Sequence, residues 1–201
     1  MIPTVCPAYL PNVRYFAWMF AQDSINFVCD THFQKQTYRN RTEIYGSNGK
    51  LKLTIPIIHT KSAHQKENEV LISNATLWQK QHWKSISTAY RSSPYFEYYE
   101  KDLEHFFITT ETHLFEFNLK IILQLLELIE YPLNYKIVSY DNDKHKRLDI
   151  LLNAKTKSIP IQEKYTQVFE QKNGFLPNLS ILDLLFNLGP NTSSYLKKTG
   201  F

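Results

Sequence analysis

A chain of 201 residues with 13 Tyr, 13 Phe, 3 Trp and 43% hydrophobic residues holds enough apolar surface for one substantial core, which excludes intrinsic disorder. The net charge of +4 is mild. Two cysteines, Cys6 and Cys29, exclude a disulfide-framed scaffold and fit a reducing compartment.

Residues 2–6 read as a short strand, Pro7 and Pro11 as a turn, and about 12–22 as an apolar helix. SINFVCD, 24–30, is a second strand rich in β-formers, so the first thirty residues predict a Rossmann-like βαβ unit with a parallel pair. RTEIYG (41–46) and KLKLTIPII (50–58) flank Ser47-Asn48-Gly49 and predict a hairpin with one wet face, followed by a polar loop over 59–69 and a short strand at VLIS. Ring spacing predicts a helix over 78–90, Pro94 opens another through Phe107, and 112–130 is apolar except for a stripe of Asn118, Lys120, Gln124, Glu127 and Glu130, as a central buried helix would be. YKIVSY (135–140) and YTQVFE (165–170) read as strands. SILDLLFNLGP (180–190) reads as a helix capped by Ser180, with Asp183 as capping-box partner and Gly189-Pro190 as its stop. The expected fold is a single α/β domain over 1–201: a mixed sheet with an N-terminal βαβ unit, a β-hairpin and a helical C-terminal half. The N-terminus lacks a basic segment followed by an uninterrupted apolar run, and polar residues break the apolar stretch 114–129, so no membrane span is expected and a soluble, cytoplasmic protein is.

Charge is unevenly spread. From Thr31 to Lys52 five Lys or Arg face one Glu, and from Glu97 to Glu130 eight acids face two Lys, a dipolar pattern with one end suited to an anion. The five glycines, at 46, 49, 174, 189 and 200, leave no Gly-rich phosphate loop, so a bound nucleotide must rest on side chains and ordinary helix N-termini. The polar cluster in FVCDTHFQKQTYRNR, 27–41, lies behind the second strand, where open α/β sheets place ligands. There Arg39 and Arg41 suit a phosphate or carboxylate clamp, Lys35 adds a point charge, and Asp30 or His32 suits proton transfer or a sugar hydroxyl. The plainer account is a solvated turn whose arginines pair with the acidic 97–130 region. Cys29-x-x-His32 with Cys6 nearby is a weak zinc pattern and a loose cysteine–histidine pairing; a small buried thiol explains it as well, and no metal is expected. The aromatic, basic stretch 77–107 suits core packing better than base stacking, which argues against nucleic acid as a partner.

The order of motifs resembles the WbqC-like protein family: Pro7-x-Tyr9-x-Pro11, a strand ending in Asp30 with FQK, Asn40-Arg41, LTIPI, W-x-x-x-H-W-K-x-I-x-x-A-Y from Trp78, SPYF, and FLPNLSILDLLFNLGP from Phe175. The resemblance implies a link to bacterial surface polysaccharide, such as O-antigen, and activated-sugar metabolism, and it singles out Asp30, Gln34, Lys35, Asn40 and Arg41 as positions matching the family's polar motif. Tyr9 joins them as a substrate-binding candidate. Two departures stand out: Arg14 occupies a position where relatives carry Gly, and the 141–178 region is short, with Gly174 alone. Two functions follow. One is a group transferase holding a nucleotide- or phosphate-activated donor on Gln34, Lys35, Arg39, Asn40 and Arg41, with Asp30 or His32 as catalytic base. The other is a non-catalytic binding protein that has lost part of the family pocket. No particular cofactor is indicated.

Overall fold

In the computed structural model, which describes residues 2–58, 60, 65–154 and 162–199, the opening unit forms as expected. Strands β1 (Ile2–Val5) and β2 (Ser24–Val28) run parallel, with Thr4 opposite Asn26 and Val5 opposite Phe27, and helix α1 (Val13–Phe20) joins them. Asn12 caps α1 by accepting a hydrogen bond from Tyr15 N at 2.9 Å, and six of its eight residues are buried. β5 (Asn134–Val138) adds to the outer side of β2, in parallel. β6 (His145–Arg147) adds to the other side of β1, also in parallel, so the sheet order is β5-β2-β1-β6. β2 is buried over Ile25–Val28, as an interior parallel strand must be, whereas β5 lies at the open edge with Ile137 exposed.

β3 (Arg41–Gly46) and β4 (Gly49–Thr54) form the predicted hairpin around Ser47-Asn48. The second strand ends at Thr54 rather than 58, because Ile55 N turns to Asn40 O and Pro56 has no amide to donate. The predicted helices follow as α2 (Trp78–Tyr90), α3 (Phe96–Glu104) and α4 (Leu114–Leu128). Asn118 departs from the expected polar stripe of α4: it is buried and donates from Nδ2 to Pro7 O at 3.2 Å and Arg39 O at 2.7 Å. One amide of the central helix therefore ties the first turn to the basic segment.

Three local expectations fail for tertiary reasons. VLIS forms only isolated bridges, Ile57 with Ile72 and Leu71 with His113. Residues 165–170 are not a strand: Tyr165 and Gln167 do alternate inward, but they meet a carboxylate instead of a neighbouring strand, and the short helix α5 (Glu170–Asn173) follows. That carboxylate is Asp183 on α6 (Ile181–Leu188), which forms no capping box; Ser180 alone caps, accepting from Leu182 N, while Asp183 points into the core. α6 stops at Gly189 as predicted, but Pro190 then opens a further turn that leads into α7 (Thr192–Thr199), which packs on α1. Gly189 sits at φ +52°, where an added Cβ would stand 2.5 Å from Tyr95 Cδ1. Gly189→Ala is accordingly expected to cost roughly 2–4 kcal/mol, from strain plus overpacking. Gly49→Ala, also at positive φ but facing open space, should cost less; a urea melt of both variants checks the order.

No helix among the described residues is long and apolar enough to cross a membrane.

Candidate functional site

The chain passes from β1 to β2 to β5 on one side, and β6 lies on the other. The strand order therefore reverses between β1 and β6, the place where doubly wound sheets bind ligands beyond the carboxyl ends of their strands. Two features of this chain change what that place can hold.

The first is the N-terminus of α1, where a dinucleotide fold would seat a phosphate. Its amides are already taken: Val13 N donates to Leu179 O, Arg14 N to Asn178 Oδ1 and Tyr15 N to Asn12 Oδ1. The segment before α6 also docks here through Ser180, whose Oγ donates to Leu10 O. A phosphate has no amide cradle at this turn, which accounts for a first βα turn without glycine.

The second is Arg39. Its side chain is 1% exposed, and its guanidinium spans the switch point: Nε donates to Glu67 Oε1 at 2.5 Å and Nη2 to Asp149 Oδ1 at 3.2 Å, with Cys6 Sγ 3.8 Å away. The acids it meets lie outside the 97–130 stretch. Burial raises the Glu67 carboxyl above the usual carboxylate range, and Arg39 works against that rise. Asp149 also meets Arg147, Nε to Oδ2 at 2.7 Å, and the Arg147 guanidinium stacks over the Tyr140 ring. Neither Glu67 nor Asp149 stood out in the sequence. Glu67 sits in a polar tract that reads as a loop, and Asp149 follows a strand, His-Lys-Arg, with no apolar pattern.

The remaining residues of the 30–41 segment separate into groups. Asp30 accepts from Tyr140 N at 2.8 Å and so closes the end of β2 onto the end of β5. His32 is exposed and bridges to Lys66 through its backbone. Residues 29–33 are pinned by 65–68: Phe33 N donates to Gln65 O, Glu67 N to Thr31 O and Asn68 N to Cys29 O. Tyr9 is fully buried, its hydroxyl 2.9 Å from His82 Nδ1. Burial lowers the His82 pKa to about 4, so its imidazole is neutral. Gln34 and Lys35 are exposed on a loop whose Gln36 has φ +60°.

That loop divides two clefts. One, of about 440 Å³, is lined by Lys35, Gln36, Asn40 and Arg41 against Thr54–Ile57. Asn40 grips its far wall, donating from Nδ2 to Ile55 O and accepting Ile55 N at its own carbonyl. Asn40 Oδ1 and Arg41 Nε are shielded from solvent and have no hydrogen-bond partner among the described residues. The other cleft, of about 350 Å³, is lined by Gln34, Lys35, Gln36 and Thr37 against Asp149, Ile150 and Asn153. The structure thus brings Lys35, Asn40 and Arg41 together in one cleft and Gln34 and Lys35 in the second. Asp30, His32, Arg39 and Tyr9 line neither.

The thiols are poorly placed for chemistry. Burial pushes Cys6 up to about 12, and the Cys29 thiol, raised by burial and by Asp30, stands 3.5 Å from Val138 O. Among the described residues no three of His, Cys, Asp and Glu stand close enough to hold a metal ion.

Fold and site together define a mixed α/β protein, a four-stranded parallel sheet with an antiparallel hairpin, whose first βα turn is sealed by its own chain and whose open polar surface lies on the segment after β2. The chain belongs to the WbqC-like protein family, whose model matches residues 6–159 and again 139–195. It is 28% identical over 218 residues to an uncharacterized protein of Mycobacterium tuberculosis, covering 94% of each chain. No solved structure matches it.

Proposed function

We propose that the chain binds a nucleotide- or phosphate-activated small molecule of surface-polysaccharide metabolism through Lys35, Asn40 and Arg41, and acts on it as a group transferase in the cytoplasm. The observation that carries this reading is the larger cleft. Two cationic side chains, Lys35 and Arg41, share it, and Arg41 Nε, a donor, lacks a partner among the described residues, which leaves donor capacity that an anion fills; Asn40 Oδ1, an acceptor, suits a hydroxyl of the same ligand. Arg39 in this reading is a positioning residue that holds Asp149 from behind, and Gln34 borders the ligand from the second cleft. Asp30 or His32 is the candidate base for an acceptor hydroxyl or amine that approaches from outside the two clefts, since neither residue lines them. Positioning and electrostatic stabilisation supply most of the rate in such a transfer, so no covalent nucleophile is needed. Two free cysteines agree with a cytoplasmic setting.

The non-catalytic alternative has one observation on its side. The described lining of the larger cleft contains neither a carboxylate nor an imidazole, so a ligand held there has no adjacent group to take a proton.

A thermal-shift panel of nucleotides, nucleotide-sugars and inorganic phosphate tests the shared premise, since a ligand that binds only the native state raises the melting temperature. At least one phosphate-bearing compound is expected to give a shift that Arg41→Ala removes, with little change in the melting temperature of the unliganded protein. No shift from any compound sinks both readings of the cleft. A shift without turnover on any acceptor, insensitive to Asp30→Asn and His32→Ala, selects the binding protein.

A further inference from the structure

We propose that the second cleft is a hydroxyl-binding subsite in which Asp149 receives the sugar hydroxyls of a ligand whose phosphate sits on Lys35, Asn40 and Arg41. The inference rests on the anion-binding reading above and adds the other half of the ligand: the substrate class is a sugar phosphate or its nucleotide ester.

Three observations converge on it. The two clefts adjoin across one thin loop, since Lys35 and Gln36 line both, so one small molecule can straddle that loop with its anion on one side and its polar ring on the other. The second cleft sits beyond β6 beside β1, where the strand order reverses, and Asp149 is the carboxylate among its described lining residues.

The carboxylate is also held in place rather than loose. Arg39 meets Oδ1 at 3.2 Å from the buried side and Arg147 meets Oδ2 at 2.7 Å, while the side chain remains 38% exposed toward the cleft. An ionised carboxylate has about four lone-pair sites, and these two contacts leave capacity for a vicinal pair of hydroxyls. Two arginines also offset its charge, so a phosphate next door meets a net positive field from Arg39, Arg147, Lys35 and Arg41 against Asp149 and Glu67. A bare carboxylate at this spot would repel a phosphorylated ligand. A neutral side chain would accept fewer hydroxyls. Gln34 and Thr37 add an amide and a hydroxyl to the same wall.

Calorimetric titration with a panel of hexose 1-phosphates against cyclohexyl phosphate, which keeps the phosphate and a six-membered ring without the hydroxyls, tests the subsite. At least one hexose 1-phosphate is expected to bind about tenfold more tightly than cyclohexyl phosphate, the size of one charge-assisted hydrogen bond. Asp149→Asn should erase most of that advantage and leave cyclohexyl phosphate within about twofold of its wild-type affinity. Should Asp149→Asn fail to fold, Gln34→Ala on the exposed loop should cut the advantage about threefold, and the wild-type comparison needs no variant. If every hexose phosphate binds no better than cyclohexyl phosphate while Arg41→Ala abolishes both, the subsite is wrong and the anion cleft stands. Equal losses for both ligands in Asp149→Asn likewise overturn the subsite. Binding of no phosphate ester at all removes the anion reading and the subsite with it.

Discussion

Arg39→Ala is expected to lower folding stability by about 3–5 kcal/mol, because it strands Glu67 as an uncompensated buried carboxylate. Arg39 is 1% exposed and Glu67 5%, so water cannot replace the lost guanidinium. Against a total of about 5–15 kcal/mol for a domain, the loss is large enough to read directly from urea melts at pH 7. Arg39→Ala combined with Glu67→Gln should be less damaging than the two single costs added together, since the second change removes the charge that the first left unpaired. Additive costs, or a loss under about 1 kcal/mol for Arg39→Ala, would show that the pair does not hold the switch point together. Arg41→Ala, at the half-exposed rim of the cleft, should by contrast fall near the small effects typical of surface substitutions. The two arginines of one short motif thus separate into an internal clamp and a cleft-lining cation.

The second large effect is on pH dependence and comes from two buried groups acting in opposite senses. Asp183 is fully buried with no cation beside it among the described residues; burial raises its pKa from 3.8 to about 6, although Tyr165 and Gln167 donate to Oδ2 at 2.6 and 2.8 Å. A carboxyl protonated more readily in the folded state stabilises the fold fully below the unfolded value and loses that contribution as pH rises through about 6. His82 is the reverse. Its folded pKa of about 4 lies below 6.5, so its contribution is present above 6.5 and is lost as pH falls toward 4. Each displacement spans about two pH units or slightly more, which is roughly 3 kcal/mol. Between about pH 4 and 6 the two contributions nearly cancel, and groups common to all variants drop out of a comparison. Asp183→Asn is expected to make the protein markedly more acid-labile than wild type in that window, and His82→Gln to make it less so. Parallel stability-versus-pH curves for wild type and both variants would show that neither group titrates with folding. Asp183 also holds down the 165–176 stretch through Tyr165 and Gln167, so the neutral amide, which keeps an acceptor oxygen, is a gentler probe than alanine.

Much of the fold follows from local pattern. The β1–α1–β2 unit, the hairpin, and helices α2, α3, α4 and α6 carry their own instructions: a β-former run, an Asn12 or Ser180 cap, helical ring spacing, a Gly-Pro stop. The same local order carries the family resemblance, and it places Lys35, Asn40 and Arg41 on one short segment behind a strand. β6 was illegible because His-Lys-Arg has no period; its strand state comes from backbone bonds to β1, whose partner residues lie more than a hundred positions earlier. α7 was illegible because Gly189-Pro190 ends one helix and begins the next turn with the same residues.

The direction of a long polar side chain is the property that sequence left undetermined. Arg39 and Arg41 are two positions apart and chemically identical, yet one is sealed between Glu67 and Asp149, 28 and 110 residues away, and the other lines a cleft. Tyr9 turned inward to His82, and Asp183 left its helix end for Tyr165. Short-range pattern decides where a strand ends and a helix starts, because backbone hydrogen bonds and apolar periodicity act over a few residues. Which charge is buried depends on whether a distant segment brings the opposite charge to meet it, since burial without a partner costs more than folding can offset. By itself the sequence determined the framework and the polar segment; the tertiary structure decided which of its residues line an open cleft and which are buried holding the others in place.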